Sequence, residues 1–148
     1  MPFGLTQATI HVLDSIIRRL HLSNPRAQHL RTGHSGEQDA YFFLRQRGYV
    51  MVARNFRSPR QRGEIDLIGW DKDALSFIEV KTRTSRDVKP AEAAVDFHKQ
   101  RQLVAVAREY LQHMPPSCQW RFDVVSVYYD QPPCQPRCEL FQNAFRVS

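Results

Sequence analysis

Cysteine is scarce in this chain. Cys118, Cys134 and Cys138 are the only three in 148 residues. An odd and small set excludes a disulfide framework. Cys134 and Cys138 stand four apart without the second tight pair that a zinc site calls for. Free thiols suit a reducing compartment, so the cytoplasm is the expected location. Also missing is any apolar run near the 18 or so residues of a membrane span, and no membrane partner is expected. There is no internal repeat and no low-complexity tract. Acidic residues are in deficit, 15 against 21 lysines and arginines, giving a formal net charge of +6 and a pI near 9.6. The basic excess lies mostly between Arg45 and Arg121, in the body of the chain, and favours a polyanionic partner.

What is present is ordinary for one soluble domain: 42% hydrophobic and 24% charged residues. Ile10, Leu13, Ile16, Ile17 and Leu20 fall at helical spacing, predicting a helix over 7–20. Residues 21–34, rich in His, Ser, Asn, Pro and Gly, read as a linker, so 1–32 is expected to be a helical extension and 33–148 the domain. The basic 1–34 stretch could also be an amphipathic presequence, but it lacks serine-rich character and a compact apolar core. Ser35 is the expected N-cap of a second helix carrying Ala40, Phe43 and Leu44, ended by Gly48. Strands are predicted at Tyr49–Phe56, Glu64–Trp70, Ala74–Thr82 and Arg121–Tyr129. A helix is predicted from Phe97 to His113 with Asp96 as cap, and Glu139–Arg146 is either a last short strand or a docked tail.

The most informative run is 63–81, where carboxylates interrupt two strand-like segments. Asp66 stands between Ile65 and Leu67; Glu79 and Lys81 flank Val80. If Lys72-Asp73 is a two-residue hairpin loop, Asp71 faces Ala74 and Asp66 comes opposite Glu79, with Glu64 opposite Lys81. Opposed residues share a face, about 4.5–5.5 Å apart at Cβ. Glu64, Asp66, Glu79 and Lys81 would then form one face, and Ile65, Leu67, Ile78 and Val80 the other. Two carboxylates that close raise one another's pKa unless a cation compensates. Mg²⁺ is a natural candidate, held by one or two carboxylates, water and phosphate oxygens. The plainer reading of the same residues is cross-strand salt bridges on a solvated face. Glu37 has two readings as well: a carboxylate in the first turn of its helix, favoured by the dipole, or a further ligand delivered to the hairpin.

The run Gly63-Glu64-Ile65-Asp66-Leu67-Ile68 with Phe77-Ile78-Glu79-Val80-Lys81-Thr82-Arg83 closely resembles the YraN family of bacterial proteins. Gly36-Glu37, Gly48-Tyr49, Ala53-Arg54-Asn55, Pro90-Ala91-Glu92-Ala93, Lys99-Gln100-Arg101, Arg121-Phe122-Asp123-Val124-Val125 and Asn143-Ala144-Phe145 follow the same order. That family is similar to the restriction-endonuclease-like superfamily, and to archaeal Holliday-junction resolvases in particular. The resemblance implies an α/β fold, α-β-β-β-α-β, with a mixed sheet flanked by helices. It implies Asp66, Glu79 and the Val80 carbonyl as metal ligands, Glu37 as the helix acid, Lys81 serving the attacking water, and Gln100 as a polar position on the next helix.

The function expected from these residues is a Mg²⁺- or Mn²⁺-dependent DNA endonuclease, acting on branched or processed DNA. Arg54, Arg57, Arg62, Arg83, Lys99 and Arg101 flank the acidic run and would neutralise phosphates on either side of it; simple solubility is the alternative for them. A non-catalytic nucleic-acid-binding protein on the same fold is the competing function. A third reading gives the N-terminal helix a partner, a second copy of the chain included.

Overall fold

The computed structural model describes residues 25–83, 95–129 and 136–147, with side chains of the first helix from Ser35 onward. The expected helix over 7–20 lies outside them. Helix α1 runs Pro25–Gln46. A proline is favoured at a first helical position, where its missing N–H is no loss. The linker reading of 25–34 is therefore corrected, and Ser35 is a mid-helix residue rather than an N-cap. His29, Thr32 and His34 lower helix propensity by only fractions of a kcal/mol each and Gly33 by about 1 kcal/mol, too little to end a helix. Gly48, at φ +92, does end it: Tyr49 N–H donates to the Leu44 carbonyl and Gly48 N–H to that of Arg45, each at 3.1 Å, a Schellman cap.

Five strands follow: β1 (Val50–Arg57), β2 (Glu64–Asp71), β3 (Ala74–Arg83), β4 (Gln119–Tyr128) and β5 (Arg137–Phe145), with helix α2 (Phe97–Leu111) between β3 and β4. They form one mixed sheet in the order β1-β2-β3-β4-β5. Only the β3–β4 pair is parallel, spanning the α2 crossover. Asp96 caps α2, its carboxylate accepting from Lys99 N–H at 2.8 Å. The hairpin loop is Lys72-Asp73, with Lys72 at φ 54, and the ladder runs from Asp71↔Ala74 to Leu67↔Ile78 in the expected register. The C-terminal run is a full strand, its Phe145 ring stacked on Phe122 at 4.6 Å.

The core has two layers. On the α1 side Ala40 and Leu44 pack with Tyr49, Leu67, Ile78, Val125 and Val127. On the α2 side Leu103, Val106 and Ala107 pack with Ile65, Ile68, Leu75, Phe77, Phe122 and Val124. The expectation that Ile65 shares a face with Leu67 and Ile78 is thus corrected. Its neighbour across the pair is Phe56, also on the α2 side, and Asn55 at φ 47 breaks the alternation of β1 at this point.

One end of the sheet is tied by a fully buried carboxylate, Asp123. It accepts from Ser76 Oγ at 2.5 Å, Arg121 Nε at 2.9 Å, Asn143 N–H at 2.8 Å and Tyr49 Oη at 3.3 Å. Arg121 continues to Asp71 at 2.7 Å. Burial lowers the Arg121 pKa, but the hydrogen bonds that it donates to Asp123 and Asp71 more than offset this and leave it raised. Removing one partner from such a network leaves buried donors unpaired. Asp123→Ala is therefore expected to cost roughly 3–5 kcal/mol and Tyr49→Phe about 1 kcal/mol. Urea denaturation at neutral pH checks both, and equal losses would contradict the central place of Asp123.

Candidate functional site

At the other end the sheet forks. The β2–β3 ladder stops at Leu67↔Ile78, while β2 stays paired with β1 as far as Glu64 and β3 stays paired with β4 as far as Arg83. Asp66 and Glu79 stand just past the last pair, one on each tine. Asp66 Oδ2 accepts the Val80 N–H at 2.8 Å, an amide that the diverging β2 backbone no longer serves. A carboxylate inside an apolar run is tolerated here because it replaces a ladder bond.

Both acids are buried, Asp66 at 8% and Glu79 at 4% exposure. Glu79 Oε1 meets Lys81 Nζ at 2.9 Å and Lys99 Nζ at 3.5 Å. Its other oxygen, Oε2, is buried with no hydrogen-bond partner. Burial, then the Glu79 charge, pushes the Asp66 carboxyl up to about 7, with Glu37 adding to the rise and the Val80 amide and Lys99 opposing it. Asp66 and Glu79 are the carboxylates able to hold a cation. Among the described residues no three His, Cys, Asp or Glu side chains group closely enough to hold one unaided.

Glu37 reaches the fork from α1, about three turns into the helix, so its dipole reading is corrected. Gly36 makes the approach possible. A Cβ there would meet Thr82 Oγ1 at 2.3 Å, so the helix lies against β3 beside Lys81. Glu37 Oε2 accepts from Asn55 Nδ2 at 2.8 Å. By register Asn55 falls opposite Asp66, between Arg54↔Leu67 and Phe56↔Ile65. Asn55 escaped the sequence reading as a site residue, although an asparagine inside a strand run is unfavourable for sheet and tolerant of positive φ.

The other expected site residues divide. Lys99, read as a phosphate contact, lies 3.5 Å from Glu79 with its side chain part-exposed. Glu64 is not opposite Lys81: it pairs with Arg57 at 2.6 Å across β1–β2, because β2 and β3 have separated by that point. Gln100 Nε2 donates to the Val95 carbonyl at 2.9 Å, its amide serving the start of α2. Arg83 is turned inward, 6% exposed, its Nε donating to Ser126 Oγ at 3.3 Å; it follows Lys81 on an inner strand with neighbours on both sides. Arg54, Arg57, Arg62 and Arg101 are exposed. Arg54 lies 4.9 Å from the Tyr41 ring.

The raised Asp66 pKa carries a sign. The folded state binds a proton that the unfolded chain, near pKa 3.8, has released. Between about pH 4 and pH 7 the folded state holds more protons, so stability falls as pH rises and levels above. Asp66→Asn is expected to flatten that slope and to be more stable than wild type at pH 8, read by denaturant melts across pH. A second expectation concerns Gly36→Ala, which should cost about 1–3 kcal/mol by overpacking. Adding Thr82→Ala should restore most of the loss, since Thr82 Cβ would sit at 3.6 Å.

The model of uncharacterised protein family UPF0102 matches residues 36–127, which include α1 from Gly36, the fork and nearly all of β4. A UPF0102 protein of Koribacter versatilis (strain Ellin345) is 48% identical over 144 residues, covering 97% of this chain and 96% of its own. A UPF0102 protein of Symbiobacterium thermophilum is 47% identical over 120 residues, 79% of this chain and 98% of its own. One of Solibacter usitatus (strain Ellin6076) is 42% identical over 116 residues, 76% and 84% of the two chains. The chain belongs to the UPF0102 family, the family to which its YraN-like motifs pointed.

Proposed function

We propose that this protein is a divalent-cation-dependent endonuclease that hydrolyses phosphodiester bonds in DNA, with branched or processed DNA as its substrate class. The observation that carries the reading is Glu79 Oε2, a buried carboxylate oxygen with no hydrogen-bond partner. Beside it lies a second carboxyl, Asp66, that burial and then the Glu79 charge push toward protonation. Unpaired buried charge is costly, and a hard cation would relieve both groups at once. Mg²⁺ or Mn²⁺ fits two carboxylates, the Val80 carbonyl and oxygens from water and substrate phosphate. The pattern Asp66, Glu79-x-Lys81 and the order of helices and strands also suit the restriction-endonuclease-like superfamily.

When bound, the cation supplies Lewis-acid stabilisation of the phosphoryl oxygens. The chain's own groups do the rest. Lys81 orients the attacking water and offsets charge on the phosphate. Lys99 adds a second positive charge on the same side. Asn55 fixes Glu37 so that its carboxylate faces the pair and can hold a water. Water adds to phosphorus, one P–O bond breaks, and the products are a phosphate monoester and an alcohol.

The competing reading is a nucleic-acid-binding protein without turnover, favoured by the pairing of Glu37 with Asn55 rather than with a third close acid. Cleavage of branched, nicked and single-stranded DNA with Mg²⁺ or Mn²⁺ separates the two. Asp66→Asn and Glu79→Gln are expected to lower the rate about a hundredfold or more, and Lys81→Ala about a hundredfold. Calorimetry should give heat for Mn²⁺ with wild type and none with Asp66→Asn. Trace cleavage equal in wild type and Asp66→Asn would leave the binding protein as the better account.

A further inference from the structure

Beside the acid pair, the turn between β1 and β2 borders an open recess of about 380 Å³ lined by Arg57, Ser58, Gln61, Gly63, Glu64 and Lys99. We infer that this recess takes the base of an unpaired nucleotide in the substrate strand, next to the bond cut at Asp66 and Glu79. The inference rests on the nucleic-acid reading above and narrows its substrate to DNA with a base out of the stack.

Three observations and one general constraint support it. The volume lies in the range of pockets that hold small ligands, about 300–1,000 Å³. A phosphate in an intact duplex lies against a surface and needs no pocket, whereas a base can enter one only after leaving its pair. The recess and the acid pair share a wall, since Lys99 lines one and stands 3.5 Å from Glu79 in the other. A base there is thus within reach of a phosphate at the fork. The lining is suited to a base edge, with the Gln61 amide, the Arg57 donors and the Glu64 carboxylate as acceptor.

The recess is also held open before any ligand arrives. Ser58 Oγ accepts the N–H groups of Arg60 at 3.0 Å and Gln61 at 3.3 Å, and donates to the Glu109 carboxylate on α2. The turn is thereby fastened to the helix that carries Lys99. Gly63, at φ +107, brings the end of the turn against Gln102 and Val106 of the same helix, where a Cβ would sit at 3.4 Å and 3.9 Å. Arg60 and Arg62, exposed on this turn, are placed for the flanking phosphates.

The test uses three duplexes of one sequence: fully paired, with a one-nucleotide bulge, and with the same bulge lacking its base. Binding is measured by fluorescence anisotropy with EDTA present. Wild type is expected to bind the bulged duplex about tenfold more tightly than either of the others. Gln61→Trp, which fills the recess from an exposed turn position, should bring the bulged duplex down to the abasic level. It should leave the paired duplex within about twofold. Equal binding of bulged and abasic DNA by wild type overturns the inference. So does a Gln61→Trp protein that keeps the preference, or a wild type that binds none of the three. With no divalent cation present the outcome is independent of cleavage. A protein that prefers the bulged base yet never cuts overturns the nuclease reading and leaves the pocket standing. One that cuts paired DNA without base preference does the reverse.

Discussion

The separation of β2 from β3 is the constraint on which the site depends. A continuous hairpin would pair Val80 N–H with backbone and leave Asp66 and Glu79 as two like charges in a sheet interior. The fork removes the backbone partner, and Asp66 fills its place at 2.8 Å. It also opens a gap in which Lys81, Lys99 and Glu37 can approach from one strand and two helices. Charge placement and strand divergence are therefore one feature: carboxylates forbidden in a closed ladder become tolerable at its end.

The two ends of the sheet handle buried charge in opposite ways. At the hairpin end Asp123 is fully buried and fully engaged, with Ser76, Arg121, Tyr49 and Asn143 all donating to it. At the fork Glu79 keeps one oxygen without a partner, and Asp66 is raised to about 7. Satisfied networks rigidify a fold, whereas a buried polar atom without a partner is costly to keep. The contrast within one sheet is the physical reason why the proposed chemistry is placed at the second cluster and not at the first.

Much of this was legible in the chain. Apolar alternation and the Lys72-Asp73 loop carried the hairpin register, because a slip of one residue would have turned Leu67 and Ile78 outward. Gly48 and Asp96 marked the helix ends, since each supplies groups that the helix itself cannot. Three things were not legible. The fork is invisible to a pattern that assumes pairing along the whole strand, so Glu64 was placed opposite Lys81 instead of Arg57. The early start of α1 depends on many small propensities that no single residue announces. The inward turn of Arg83 and the arrival of Lys99 at Glu79 are set by tertiary packing, while the sequence offers only that both are basic.

The contacts of α1 also fix a length. Gly36 lies against Thr82 at one end of β3, and Tyr49 reaches Asp123, bonded to Ser76, near the other. From Gly36 to Gln46 the helix rises about 15 Å at 1.5 Å per residue, and the Gly48 cap with the Tyr49 side chain completes the span. From Ser76 to Thr82 a strand covers about 20 Å at 3.3 Å per residue. Helix with its cap, and strand, run between the same two anchor points in opposite directions. A single inserted or deleted residue between Gly36 and Tyr49 would turn Glu37 by about 100° around the helix axis or pull Tyr49 from its carboxylate. Variation in the number of residues, which surface loops absorb readily, has no room in this segment.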